Sequence, residues 1–257
     1  MRRTKIICTI GPKTESPAML EKLAKAGMNI ARLNMSHGDH SSHKSVIDSL
    51  KILNKKLDHP VGILLDTQGP EIRTGDIAND LHLKAGDVVS IVVRGTDNVE
   101  ESSIQINYED LIKDTNIGDT ITVDNGLINL QVLEKQDRLM KVKVIDGGLL
   151  KSKRHVNLPG VRVNLPAITE KDKRDIKFGI QNKVDFIALS FVREASDIKS
   201  LQTLIGEDKR GTKIIAKLED QEAIKNMEEI IKVSDGIMVA RGDLGVEIPF
   251  EVLPRIP

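Results

Sequence analysis

The chain has 257 residues, room for one large domain or two modest ones, and its 38 Lys+Arg balance 38 Asp+Glu, so no net basic field draws it to nucleic acid or an anionic membrane. Aromatic residues make up only 2%, with no Trp and the single Tyr108, which excludes the stacking platforms of a single-strand nucleic-acid binder. One cysteine, Cys8, excludes a disulfide framework or a Cys-based zinc cluster, and no apolar run is long enough for a membrane span or, before Gly11-Pro12, for a signal peptide. The expectation is a soluble, cytoplasmic, globular protein with no nucleic-acid or membrane partner.

Strand-like and helix-like runs alternate over the first seventy residues. Lys5–Ile10 is a short β-rich segment. Ser16-Pro17 then opens a helix as N-cap and N1, with Met19, Leu20, Leu23 and Ala24 on one face and Gly27 as its stop. Asn29–Met35 reads as a second strand, 41–57 as an amphipathic helix with Val46, Ile47, Leu50 and Leu53 at helical spacing, and Val61–Asp66 as a continuous apolar strand. Such runs joined by helical crossovers indicate a parallel sheet buried on both faces.

Near residue 73 the pattern changes to short alternating strands (Val88–Val93, Thr120–Val123, Lys141–Ile145) with Gly-Asp, Asp-Asn-Gly and Asp-Gly-Gly turns, a small antiparallel β module. After Pro166 the β/α code returns, with strands at 185–192, 213–218 and 236–240 and helices at 196–204 and 223–232. The domain expectation is a barrel-type domain in two parts, 1–72 and 166–257, interrupted by a β domain at 73–165. Six β/α strands are countable where a closed (β/α)8 barrel needs eight, so the expected architecture is an open sheet or an incomplete barrel.

In parallel α/β folds the chemistry collects at the carboxyl ends of the strands. The second strand ends with Arg32, Asn34 and Ser36 on one face at period two, a cation and two neutral oxygen groups that suit a phosphate and a hard cation. The third ends at Asp66, with Arg73 seven residues on. The fifth ends with Lys217 and Glu219, also on one face, a pair costly to bury unless partnered or ligated. The sixth leads into Arg241-Gly242-Asp243, where Asp243 offers a second carboxylate for Mg2+ and free amides could take an anion. Taken singly, each has a structural reading as a cap, turn or salt bridge; four together read as a phosphate-plus-metal site. The common phosphate loops, G-x-x-x-x-G-K-[ST] and G-x-G-x-x-G, are absent, as is a nucleophile elbow. His40 and His43 flank a helix start and are expected in solvent, and Cys8 in the core.

Six segments now carry a resemblance: Thr4–Pro12, Ala31–Gly38, Leu65–Arg73, Val156–Gly160, Ala216–Glu222 and Met238–Glu247. In these, and in their order along the chain, the sequence resembles the pyruvate kinase family. The resemblance implies an α/β, (β/α)8 TIM-type barrel, incomplete in this chain, with an inserted small antiparallel β-barrel lid domain whose closure would exclude water. It implies phosphoryl transfer from phosphoenolpyruvate to ADP in glycolysis, giving pyruvate and ATP. Mg2+ (or Mn2+) would be held by Glu219 and Asp243, and K+ by Asn34, Ser36, Asp66 and Thr67, the last through its carbonyl. Glu71 sits where K+-dependent members carry Glu.

By the same resemblance Lys217 is the catalytic cation, Arg32 and Arg73 contact phosphate, His37 and Arg154 lie by the nucleotide, and Gly242 and Asp243 take the substrate carboxylate. Arg154-His155 replaces the family's usual Lys-Gly, and Asp220 replaces a customary Asn. Family chains are longer and assemble as homotetramers, so a fragment is expected here, one whose activity alone is open. Two other classes stand beside this reading: a metal-dependent lyase or aldolase of the phosphoenolpyruvate/pyruvate-binding barrels, against which the inserted β segment counts, and a non-catalytic binding fragment.

Overall fold

The computed structural model describes residues 3–96, 103–206 and 211–248; the end of the third predicted segment, 249–257, lies outside the described residues. In chain order the elements begin with β1 (Ile7–Thr9), α1 (Pro17–Ala26), β2 (Ile30–Asn34), α2 (His40–Asn54) and β3 (Gly62–Asp66). Then come β4 (Leu81–Leu83), β5 (Val88–Val93), β6 (Ile104–Ile106), α3 (Leu111–Asp114), β7 (Thr120–Val123), β8 (Ile128–Lys135), β9 (Leu139–Asp146), β10 (Gly148–Leu150) and β11 (Val156–Asn157). The series closes with α4 (Glu170–Gln181), β12 (Phe186–Leu189), α5 (Ala195–Ile205), β13 (Lys213–Leu218), α6 (Gln221–Lys225), α7 (Met227–Val233), β14 (Gly236–Val239) and α8 (Arg241–Glu247).

These fall into two compact units. Of the described residues, the first gathers those in 3–70, 167–218 and 222–239, and the second those in 71–166, 219–221 and 240–248.

The first unit is built on one parallel sheet in the order β1-β2-β3-β12-β13-β14. Local chemistry sets its helices. Ser16 caps α1 by accepting from the Met19 N–H, with Pro17 as the first helical residue, and Asp39 and Ser42 cap α2 reciprocally. On β2 burial alternates: Ala31 and Leu33 are fully buried, while Ile30, Arg32 and Asn34 lie on the half-buried face. Leu33, Leu65, Ile187, Leu189, Ala216 and Leu218 pack with Leu20, Ile47 and Leu50 in one core. Each fully buried Leu or Ile there contributes roughly 1.5–3 kcal/mol. Burial on both faces holds at the centre of the sheet and fails at its edges: among the described residues β1 and β14 have one strand neighbour each, and Ile7 and Ile237 are exposed. Six parallel strands with helical crossovers, interrupted after the third by a β segment, are the architecture of an incomplete (β/α)8 barrel with an insertion.

The second unit holds a six-stranded sheet in the order β11-β7-β8-β9-β5-β6 and a β10-β4 pair. It is mixed rather than purely antiparallel: β5 and β6 run parallel, and ten residues separate them in sequence where an antiparallel hairpin could use two. The turn from β7 to β8 is Asp124-Asn125-Gly126, all three at positive φ (56°, 57° and 84°), a path for which Asn, Asp and Gly are the least strained residues. Alternating Ile91, Val93, Ile121, Val123, Leu130, Val132, Met140, Val142 and Val144 fill its core.

Two local expectations change. The helix expected over 223–232 is two, α6 and α7, broken at Asn226, whose side chain donates to the Arg193 carbonyl instead of serving a continuous helix. His43, expected in solvent, is 8% exposed, its Nε2 bonded to the His37 carbonyl at 2.8 Å. His40 is exposed as expected, while one side of its ring stacks on Phe178 with centroids 4.4 Å apart and Nε2 pairs with Asp175 at 2.7 Å.

Candidate active site

In the first unit the ends of β2, β3, β12 and β13 bring together Arg32, Asn34, Asp66, Thr67, Ser190 and Lys217. The register does the first part of the work: Asn34 lies opposite Asp66, and Asp66 opposite Ala188. Asp66 is fully buried, and its two oxygens face two cations. Arg32 Nε lies 2.5 Å from Oδ2, and Lys217 Nζ lies 3.1 Å from Oδ1. Arg32 also donates to Thr9 Oγ1 at 2.8 Å. Lys217 Nζ donates to Ser190 Oγ at 2.8 Å, and Ser190 Oγ reaches the Thr67 carbonyl at 2.6 Å. Ser190 N–H donates to Thr67 Oγ1.

Counted as charges, this triad holds two cations on one carboxylate. Arg32 keeps 26% of its side chain exposed, so its guanidinium, with five N–H donors, retains capacity for an anion at the strand end. The same strand ends offer oxygens: Asn34 Oδ1, which accepts from the Ser36 N–H at 3.1 Å, the Asp66 carboxylate and the Thr67 carbonyl, with a further hydroxyl on Ser36 itself. An all-oxygen donor set suits a hard cation such as K+. His37 is exposed, and its carbonyl is held by His43.

The second unit contains the other expected residues. Arg73 pairs through Nε with Glu71 at 2.7 Å and donates from Nη1 to the Lys153 carbonyl at 2.8 Å. Arg154 lies 3.4 Å from Asp124, and its buried Nε has no hydrogen-bond partner. A guanidinium has five N–H donors, so both arginines retain capacity for phosphate oxygens. His155 follows Arg154 and pairs with Arg73 in an isolated antiparallel bridge; burial holds it below its ordinary 6.5, with Arg73 adding to that and Glu71 and Asp243 opposing it.

Glu219 follows β13 and is 1% exposed, while Asp243 is half-buried in the first turn of α8. The N–H groups of that turn, Gly242 and Asp243 among them, have no acceptor within the helix. Glu247, one turn on, accepts from Asn157 Nδ2 at 2.7 Å, and Gln221 Nε2 donates to the Glu247 carbonyl. Burial lifts the Glu247 carboxyl above its ordinary 4.5; Asp220 and Asp243 add to the rise and the Asn157 bond opposes it.

Among the described residues no group of three or more His, Cys, Asp or Glu side chains could hold a metal by itself. Two carboxylates are nevertheless the donor set that Mg2+ or Mn2+ takes when waters and substrate phosphates complete its shell, so Glu219 and Asp243 fit that kind of site and not a closed protein cage.

The chain matches the family "Pyruvate kinase, barrel domain" over residues 1–256. The chain belongs to the pyruvate kinase family. A pyruvate kinase of Staphylococcus epidermidis (strain RP62A) is 51% identical over 259 aligned positions, which cover 100% of this chain and 44% of that protein. Pyruvate kinases of Staphylococcus aureus strains MRSA252 and USA300 are 50% and 49% identical with the same coverage. The chain therefore spans less than half the length of these curated relatives. No helix among its described residues is long and apolar enough to cross a membrane.

Two contributors were passed over in the sequence. Ser190 closes the fourth β/α strand, and the same strand-end rule that selected Asp66 and Lys217 applies to it. The helix α4 went unnoticed because its residues are mostly charged. Its signal was the capping box Thr169-x-x-Asp172, where Asp172 Oδ2 accepts from the Thr169 N–H at 2.9 Å.

Proposed function

We propose that the protein carrying this chain transfers the phosphoryl group of phosphoenolpyruvate to ADP, giving pyruvate and ATP in the cytoplasm. The observation that carries the reading is the buried Asp66 carboxylate with Arg32 and Lys217 on its two oxygens, set at strand ends of a chain from this family. An oxygen of the ADP β-phosphate forms the new bond to phosphorus, the bond to the enol oxygen breaks, and its electron pair passes to the enolate. Protonation of that enolate at carbon gives pyruvate.

Such transfers need positioning and charge neutralisation more than covalent help. Arg32 and Arg73 hold phosphate oxygens, and Lys217 is the catalytic cation where negative charge grows on the phosphoryl group and the enolate. Ser190 and Asp66 orient its ammonium. Gly242 and Asp243 take the substrate carboxylate, while His37 and Arg154 lie by the nucleotide. Arg154 supplies a planar fork in place of a lysine point charge. Glu219 and Asp243 would hold Mg2+ (or Mn2+), and Asn34, Ser36, Asp66 and Thr67 would hold K+. When bound, these cations offset the repulsion between two anionic substrates.

The domain division proposed with this function is a barrel domain of 1–72 and 166–257 around a β domain of 73–165. Homotetramer assembly is proposed for the full-length protein.

The test is pyruvate formation from phosphoenolpyruvate and ADP with Mg2+, with and without K+, together with phosphoenolpyruvate binding with and without Mg2+. K+-stimulated turnover is expected of the full-length protein, and Mg2+-dependent binding of the chain itself. Absence of both overturns the reading.

A further inference from the structure

We propose that α4 is a positioning bracket for the monovalent-cation site, holding from one helix face both strand-end loops that carry its oxygens. The inference rests on the K+ reading of Asn34, Ser36, Asp66 and Thr67 and deepens it by naming what fixes their geometry.

Three side chains of α4 reach out of the helix. Lys171 Nζ donates at 2.6 Å to the carbonyl of Met35, the residue between Asn34 and Ser36. Asp172 Oδ1 accepts from the Gly69 N–H at 3.0 Å, two residues beyond Thr67. Asp175 lies 2.7 Å from both Lys171 Nζ and His40 Nε2, so it fixes the lysine and also grips the start of α2, where the first loop ends. Asp172 and Asp175 are 0% and 3% exposed. All these residues belong to the first unit.

An ordinary solvent-facing helix explains only part of this. The capping box occupies Asp172 Oδ2, and a Lys171–Asp175 pair is a common i,i+4 contact worth a few tenths of a kcal/mol. Neither requires a bond to the Met35 carbonyl or to Gly69. Burying two carboxylates is costly unless each oxygen is partnered, and here the partners outside α4 are the two loops and α2. The loops are further joined to each other, since the Met35 N–H donates to the Asp66 carbonyl at 2.9 Å. Groups that do not touch an ion but hold its ligands set their aim, and their loss typically weakens metal affinity by about 10–100-fold.

The experiment needs no turnover. The chain is melted in KCl and in tetramethylammonium chloride at equal ionic strength, and the K+-specific rise in Tm is titrated to an apparent dissociation constant. For Lys171→Met and Asp175→Asn we expect that constant to rise about tenfold, the low end of the range for such groups. Lys173→Met, which removes only an exposed pair with Glu170, is expected to leave it unchanged. A parent chain with no K+-specific stabilisation overturns the K+ reading and the bracket with it. A parent that responds, with both variants responding equally well, overturns the bracket alone. Lys171 keeps 41% of its side chain in solvent, so its Met variant decides the matter if Asp175→Asn fails to fold.

Discussion

Lys217 and Asp66 form an ion pair of 3.1 Å although their strands, β13 and β3, are not neighbours: β12 runs between them. The lysine reaches across the end of β12, and Ser190, just past that strand, supplies the hydroxyl that receives it at 2.8 Å. Only a sheet that ends three strands at one level can do this. The contact therefore links the order of the strands to the electrostatics of the candidate site.

Removing the carboxylate should cost stability. In Asp66→Asn, Arg32 and Lys217 are left facing each other with no anion between them, and breaking a buried pair by deleting one partner typically costs 3–5 kcal/mol. Because Arg32 keeps a quarter of its side chain in solvent, we expect about 3 kcal/mol, read from the urea midpoint in K+-free buffer. A midpoint within error of the parent's would show that the two cations do not need Asp66.

Lys217→Met should act on rate and not on folding. Asp66 retains Arg32 and the Ser190 hydroxyl, so the fold stays satisfied. Loss of one preorganised charge at the reacting group is expected to lower kcat by at least about 100-fold, with Mg2+-dependent phosphoenolpyruvate binding changed far less. Turnover at the parent rate in the full-length enzyme would remove Lys217 from the chemistry.

Gly69→Ala probes the loop behind Asp66. The residue sits at φ +75°, and an added Cβ would lie 2.7 Å from the Phe191 ring and 2.9 Å from Ser190 Cβ. Left-handed backbone costs an alanine about 1–2 kcal/mol, and the clash adds roughly 1–3 kcal/mol. A drop in unfolding free energy of about 2–5 kcal/mol is expected, again from urea unfolding. A neutral result would mean that the loop can take another path.

Glu247 predicts a pH dependence. Its carboxyl is lifted above 4.5 by burial, so the folded chain holds that proton more tightly than the unfolded one. The resulting stability is fully present below 4.5 and is lost as pH rises through the lifted value. Glu247→Gln keeps an oxygen for Asn157 but has no proton to lose. In Mg2+-free buffer the variant should therefore gain on the parent as pH climbs from 4.5, reaching a constant advantage once Glu247 is ionised. Parallel stability curves for the two chains would contradict the burial assigned to this carboxyl.

Periodicity and capping carried the sequence reading a long way. Ser16-Pro17 and the stripe of Val46, Ile47 and Leu50 mark α1 and α2 because those signals lie within a few residues of each other. The Asp124-Asn125-Gly126 turn is legible for the same reason. Where local signals conflict with long-range partners the reading slips. His43 stands beside a polar helix start, yet it is buried because a carbonyl six residues back receives its ring.

By itself the sequence determined the order of the parallel strands, the helices α1, α2 and α5, the strand-end residues Arg32, Asp66 and Lys217, and membership of a family. Which of those residues meet was decided by tertiary structure. Parallel pairing sets Asn34 opposite Asp66, and strand order places Ser190 between Asp66 and Lys217. The charges on α4 became tethers to two loops only because the helix packs against them. The physical reason is range: a cap or a turn is written within four residues, whereas a buried charge is stable only where distant parts of the chain bring its partners.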